Sequence, residues 1–233
     1  MVQIPRFECV RRSCRVRHDA PYEMRSHSLL PDRDKFEHNR RKNTQIAAFI
    51  AMVRTLTRWT VKDYHHMIES GLLAGRQVEL IDGQIINMAP ELPIHRVTYR
   101  RGVKYLEALL ATQAVVFATA PVTLPSDGEP QPDICIAIPP ESRYDQRHPE
   151  PNDIYWLIEV SNSTLSYDLG DKAQMYARHE IQDYWVIDIL GSQLWVHREP
   201  NNGKYQSVVK YSTGRIRPLA FPDVEVEVQR LLR

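Results

Sequence analysis

Residues 154–188 read IYWLIEVSNSTLSYDLGDKAQMYARHEIQDYWVID, and their pattern decides the fold class. Ile154 to Val160 is apolar throughout except at Glu159, as expected of a strand covered on both faces. From Tyr167 to Ile181 the pattern turns helical, with Leu169, Met175 and Tyr176 as apolar anchors. DYWVIDI, from Asp183, then returns to a buried strand.

Upstream of this core, PDICIAI (132–138) is a short apolar strand entered through a Pro-Asp pair. AVVFATAPVTL (114–124) is rich in β-formers, and Pro121 marks an edge or an interruption. HRVTYRRGVKYLEALLA (95–111) sets Val97, Val103, Leu106, Leu109 and Leu110 near helical spacing. QVELIDGQIINM (77–88) is two short β-runs around Asp82-Gly83, a hairpin signal. In TVKDYHHMIESG (60–71), Thr60 is the expected N-cap, Asp63 the third helical residue and Gly71 the stop. Downstream, SQLWVHRE and KYQSVVKY form a hairpin across Asn202-Gly203. DVEVEVQ (223–229) alternates Val224, Val226 and Val228, which predicts a last strand with one solvated face. Strands and helices mixed in this order predict an α+β (mixed α/β) domain.

The charge is balanced overall, with 30 Lys plus Arg against 29 Asp plus Glu in 233 residues. That excludes a disordered polyelectrolyte and a strongly basic DNA-coating protein. The balance hides a split, because residues 1–45 carry eleven basic and six acidic residues, a net of +5. The remainder, with 19 basic and 23 acidic residues, stands at −4. Residues 1–51 show no sustained period and are expected to be a disordered basic extension, with the folded domain at 52–233. The arm could neutralise phosphates; alternatively, Met52 is the true start and residues 1–51 have no role. Cys9, Cys14 and His18 lack a fourth ligand at zinc spacing. Three cysteines fit a reducing compartment, and the longest apolar run, Ile46 to Val53, is far short of the ~20 residues that span a bilayer. A cytoplasmic protein with no membrane partner is expected.

The chemistry concentrates on two carboxylates. Asp133 opens one apolar strand and Glu159 interrupts another, and a carboxylate in such a run is costly unless paired or bound to a metal. On neighbouring strands, the two could hold one hard cation, and Mg²⁺ commonly takes one or two carboxylates with water and phosphate. Asp168 and Lys172 are i and i+4 on the following helix, so a lysine near that cation could orient water or stabilise developing charge. Spacing alone equally allows an ordinary surface pair at Asp168 and Lys172, and a Glu159 satisfied by amides of the SNST turn. The basic residues Arg96, Arg100, Arg101 and Lys104 read either as a phosphate track or as the solvated face of their helix. His65 and His66 are expected at the surface.

Taken together, ELIDGQIINMAP, PDICIAI, YWLIEVSNSTLSYDLGDKAQMYARHEIQDYWVID and GKY resemble the Uma family of restriction endonucleases, in the PD-(D/E)XK nuclease superfamily. The resemblance runs from about Leu56 to the C-terminus. It implies a restriction-endonuclease-like core, a central mixed sheet flanked by helices, with extra strands at the C-terminal end. It also implies Mg²⁺-dependent, or Mn²⁺-dependent, hydrolysis of DNA phosphodiesters through a metal-activated water. Asp133 and Glu159 match the metal ligands, and Lys172 assists with Asp168 positioning it. Glu79 matches an additional carboxylate, a solvent-facing hairpin residue being the equal alternative, and His95 is notable at its helix start. The superfamily places a lysine two residues after the glutamate, where this chain has Ser161; the Uma pattern moves it to Lys172. That departure and the acidic core both favour an alternative, a catalytically inactive nuclease fold that binds DNA or protein. Cutting both strands would favour a homodimer. A glycoside hydrolase would need aromatic sugar platforms, and Trp156 and Trp185 lie instead within core strands.

Overall fold

The computed structural model describes residues 56–232. The extension expected over 1–51, with Cys9, Cys14, His18 and the start at Met52, lies outside the described residues.

Helix α1 (Val61–Glu69) begins where the sequence predicts. Thr60 Oγ1 accepts from the Asp63 amide at 3.1 Å, and Asp63 Oδ2 accepts from the Thr60 amide at 3.0 Å. This reciprocal capping box satisfies two donors that a helix start leaves orphaned. Strands β1 (Val78–Ile81) and β2 (Gln84–Asn87) pair antiparallel. Their turn has positive φ at both Asp82 (48°) and Gly83 (70°), the conformation an Asp-Gly hairpin favours. Strand β1 is then pinned to the segment before the next core strand by paired amide bonds between Leu80 and Glu129.

Helix α2 (Pro93–Leu110) starts with proline in its first turn and buries Thr98, Gly102, Leu106 and Leu110. Val97, expected on the apolar face, is exposed, because the buried stripe runs one position further round. Gly102 has a packing reason: a Cβ there would sit 3.0 Å from Ile134 Cδ1, so α2 approaches the sheet closely.

The main sheet has six strands in the order β3 (Val115–Ala118), β4 (Ile134–Ala137), β5 (Ile154–Ser161), β6 (Asp183–Asp188), β7 (Gln193–Asn201) and β8 (Lys204–Tyr211). Only β5 and β6 run parallel, joined by a helical crossover, so the sheet is mixed as expected. The crossover comprises α3 (Leu165–Tyr167), a π-helical turn (Asp168–Lys172) and α4 (Ala173–Arg178).

Side-chain alternation assigns the two faces. Ile134, Ile136, Trp156, Ile158 and Trp185 join Leu106 and Leu110 of α2 in one core. Cys135, Leu157, Tyr184 and Val186 join Met175 and Tyr176 of α4 in the other. The strand expected over 223–229 is a two-residue β10 (Val226–Glu227), paired with β9 (Arg215–Ile216). The chain then turns into α5 (Val228–Leu232), where Val228 and Leu231 are buried, so the valine alternation served burial on two successive elements rather than one long strand. No helix among the described residues is long and apolar enough to cross a membrane.

Candidate active site

The register of β4 and β5 brings the carboxylates together. Ile134 lies opposite Ile158, so one step further along the ladder sets Asp133 across from Glu159. Both positions fall on the face of Cys135 and Leu157, because side chains alternate along a strand. The Val160 amide donates to Asp133 Oδ2 at 2.7 Å and locks this juxtaposition.

Glu159 is 3% exposed, and its Oε1 accepts from Lys172 Nζ at 3.1 Å and from Tyr176 Oη at 2.9 Å. Lys172 is 7% exposed and lies 3.5 Å from Glu79 Oε2. Glu79 is buried on β1 rather than solvent-facing, and its Oε2 also accepts from the Gln131 amide at 3.3 Å. The three side chains thus come from a hairpin, a sheet strand and the crossover helix. Their charges set their proton affinities. Burial pushes the Glu159 carboxyl well above the usual range, against the pull of the Lys172 ammonium. Burial alone would lower Lys172, but Glu159, Glu79, Asp168 and Asp133 outweigh it and hold the ammonium protonated.

Asp168 departs from its expected contact. Within the described residues it makes no ion pair with Lys172; its Oδ2 accepts from Thr164 Oγ1 at 2.7 Å and from Ser161 Oγ. The reason lies in the partners each finds: Ser161 and Thr164 hold the Asp168 carboxylate at the end of β5, while Glu159 and Glu79 hold the ammonium. Lys172 is released toward Glu159, while Asp168 ties the crossover back to the end of β5. Ser161, two residues after Glu159, supplies that tie.

His95, at the start of α2, sets Nε2 3.3 Å from Asp133 Oδ2 and Nδ1 3.7 Å from Glu91 Oε1. Burial would depress its pKa, but the bond to Asp133 and the two carboxylates raise it. A cavity of about 1150 Å³ opens over the group, and Glu79, His95, Asp133, Glu159 and Lys172 all line it. Asp133 Oδ1 and Glu159 Oε2 have no hydrogen bond to a described residue. Such oxygens suit a hard cation. No three His, Cys, Asp or Glu side chains among the described residues are grouped to hold a metal. Two carboxylates are a number Mg²⁺ commonly accepts when water and phosphate complete its shell.

Two features lie beyond what the sequence pattern predicts. Tyr176 reads as an apolar anchor and, beside Glu159, Asp168 and Lys172, as part of the family-like pattern, but with no partner assigned; its spacing four residues after Lys172 was the available signal for a shared one. His65, expected at the surface, sits 2.7 Å from the buried Glu129, which also accepts from Thr123 Oγ1 at 3.0 Å. Trp156 and Trp185 are fully buried and in contact, so neither can serve as a sugar platform.

Residues 61–229 match the sequence profile of the Uma2 family, described as "Putative restriction endonuclease". No curated protein matches the chain. Among solved structures, a crystal structure described as "a putative nuclease belonging to DUF820" from Anabaena variabilis ATCC 29413 superposes with a TM-score of 0.52 at 18% identity. The match covers 66% of this chain and 89% of that one, and it establishes a shared fold.

Proposed function

The chain belongs to the Uma2 family, and from that premise we propose that it is a divalent-cation-dependent DNA endonuclease acting at the cleft over Asp133 and Glu159. The observation that carries the reading is the convergence of Glu159, Lys172 and Glu79 from three elements, with Asp133 across the ladder, on the wall of one cavity. A buried carboxylate pair is costly to maintain, so its presence at a cavity wall points to use rather than stability.

Asp133 and Glu159 would hold Mg²⁺ or Mn²⁺. When bound, that ion supplies Lewis-acid stabilisation of phosphoryl charge and activation of water for in-line hydrolysis. The Val160 amide fixes one Asp133 oxygen, and Lys172 with Tyr176 fixes one Glu159 oxygen, so each carboxylate keeps one oxygen uncommitted. Lys172, held cationic by its carboxylates, serves as a charge stabiliser or water-orienting donor rather than as a general base. Glu79 fixes the other side of the ammonium and adds negative charge near the cation. Asp168 acts one step back, holding the crossover through Ser161 and Thr164.

The inactive-module alternative draws its support from Ser161 and from the net negative charge of the domain, and Lys172 bears on the first. That support weakens with Lys172 beside Glu159, since a cation approaches the second acidic residue from the next helix instead. The test uses full-length protein with supercoiled plasmid in Mg²⁺ or Mn²⁺, next to Asp133→Ala and Glu159→Gln. Metal-dependent nicking by wild type, lost in both variants, is expected. No nicking, or equal nicking by the variants, overturns the catalytic reading, and titration calorimetry with Mg²⁺ then tells whether a cation binds at all.

A further inference from the structure

The cavity is far larger than a metal site requires. A divalent ion with its shell of water-sized ligands fills about 200 Å³, against about 1150 Å³ over the carboxylates. The surplus has a direction. On the β1–β2 hairpin, Glu79 lies opposite Ile86. The Met88 amide donates to the Gln77 carbonyl at 2.9 Å, so the ladder runs one pair beyond Val78 and Asn87. Alternation puts Gln77 and Met88 on the face of Glu79, about 7 Å further along the strand. Ile86, Gln77 and Met88 all line the cavity, which therefore continues outward from the site along this face.

The lining of this outer part is apolar and aromatic, with a few polar groups. Leu92 belongs to it and is 48% exposed, a large apolar side chain left uncovered at the rim. Tyr167 of the crossover also lines the cavity, its ring centroid 6.0 Å from Lys172 Nζ, so an aromatic surface adjoins the catalytic group. The amides of Gln77 and Asn162 stand on the wall with no side-chain hydrogen bond among the described residues. Apolar walls with a few convergent polar groups are what a small flat ligand needs.

Charge narrows what that ligand is. Five carboxylates line the cavity against two permanent cations, Arg76 and Lys172, and Lys172 is already held by Glu159 and Glu79. Arg100, Arg101 and Lys104 of α2 stand on the side of their helix away from His95 and offer no phosphate track into the cleft. Apart from a bound cation, the cleft gives a phosphodiester little attraction. An uncharged nucleobase gains from the same walls, by stacking and burial.

We propose that the outer cleft, at Gln77, Met88, Leu92 and Tyr167, receives an unpaired nucleobase beside the scissile phosphate, so that the substrate is single-stranded or locally unpaired DNA. This inference rests on the nuclease reading above. A base within a duplex shows only its edges in the grooves, and reaching an enclosed wall requires it to leave the stack. Gln77 and Asn162 then meet the edge that pairing would otherwise occupy.

The test is fluorescence anisotropy with the full-length protein, Ca²⁺ replacing Mg²⁺, on three labelled probes of one length. These are a single-stranded thymidine oligonucleotide, the same backbone without bases, and a blunt duplex. The single strand is expected to bind tightest, with the base-free strand weaker by about 5- to 150-fold although its phosphates are unchanged. The variant M88A/L92A is expected to lower single-strand affinity toward the base-free value and to leave base-free binding as in wild type. Tyr167→Leu, which keeps bulk and removes the ring, acts in the same direction, and melting temperatures establish that both variants fold. A base-free strand or a duplex bound as tightly as the single strand overturns the base subsite on wild-type protein alone. Folded variants with wild-type single-strand affinity overturn it too. Each of these leaves the nuclease reading standing, whereas no measurable affinity for any probe overturns both.

Discussion

Replacing Lys172 by methionine keeps the stem and deletes the charge that four carboxylates share. The ammonium lies 3.1 Å from Glu159 and 3.5 Å from Glu79, with Asp168 and Asp133 adding to its field. Breaking a buried pair by removing one partner costs about 3–5 kcal/mol, because the carboxylates left behind must stay buried without their cation or take up protons. In a domain of this size, about 1 kcal/mol moves the melting temperature by roughly 2–4 °C, so Lys172→Met is expected to lower it by on the order of 10 °C. Glu159→Gln should cost less, since Glu79 still holds the ammonium. The double variant should recover part of the Lys172→Met loss.

A pH dependence with a definite sign accompanies the loss. Burial already raises Glu159 to about 8 in the wild type, against the pull of Lys172, and without that cation it stays protonated to higher pH, whereas the unfolded carboxyl ionises near its ordinary value of 4.5. Stability of Lys172→Met therefore falls by up to about 1.4 kcal/mol per pH unit above that value, and the deficit is larger at pH 9 than at pH 6. Mg²⁺ at about 100 times its dissociation constant returns roughly 2.7 kcal/mol if the freed carboxylates bind it. Urea denaturation at pH 6 and pH 9, with and without Mg²⁺, measures each quantity. A variant within about 1 kcal/mol of wild type, or a deficit independent of pH, would falsify the claim that this ammonium balances a buried carboxylate.

Three further outcomes are expected. Tyr176→Phe removes the second donor to Glu159 Oε1, costing about 1.5–3 kcal/mol and weakening Mg²⁺ affinity by calorimetry; unchanged values for both would place the hydroxyl outside the site. Asp183 is fully buried and accepts from Trp185 Nε1 at 2.6 Å, Arg198 Nε at 2.9 Å and the Leu219 amide at 2.9 Å. Asp183→Ala strands all three donors and should cost about 3–5 kcal/mol, with little change in metal affinity. His197 is buried between Tyr184 and Tyr205, and burial pushes its pKa down to about 4 from 6.5. The unfolded state then takes up the proton first, so about 3 kcal/mol is fully present above pH 6.5 and is lost as pH falls toward 4. In His197→Phe the acid side of the stability curve should flatten over that window.

Much of the secondary structure was legible because local signals act through neighbouring residues. Thr60 with Asp63, Asp82-Gly83 and Asn202-Gly203 each specify a backbone conformation from two to four residues. The unbroken apolar runs of β4 and β5 mark strands that must be covered on both faces. DVEVEVQ misled because alternation over seven residues cannot say whether Val228 is buried by a strand or by the first turn of a helix. Val97 misled for a related reason, since a helical stripe is broad and only the neighbour decides its edge.

Of the site, the residue types were readable and their contacts were not. A carboxylate within an apolar strand is anomalous on its face, so Asp133 and Glu159 stand out from the residue pattern alone. By itself, then, the sequence determined the mixed α/β class, the strand-borne carboxylates and the family, because each is carried by local pattern. Tertiary structure decided who touches whom: the register that sets Asp133 across from Glu159, the burial of Glu79, and the partners of Lys172. The crossover shows why. Asp168 bonds Ser161 and Thr164 at the end of β5 while Lys172 reaches Glu159, and that division depends on which groups the folded sheet sets beside each side chain, not on the spacing of four residues along the chain.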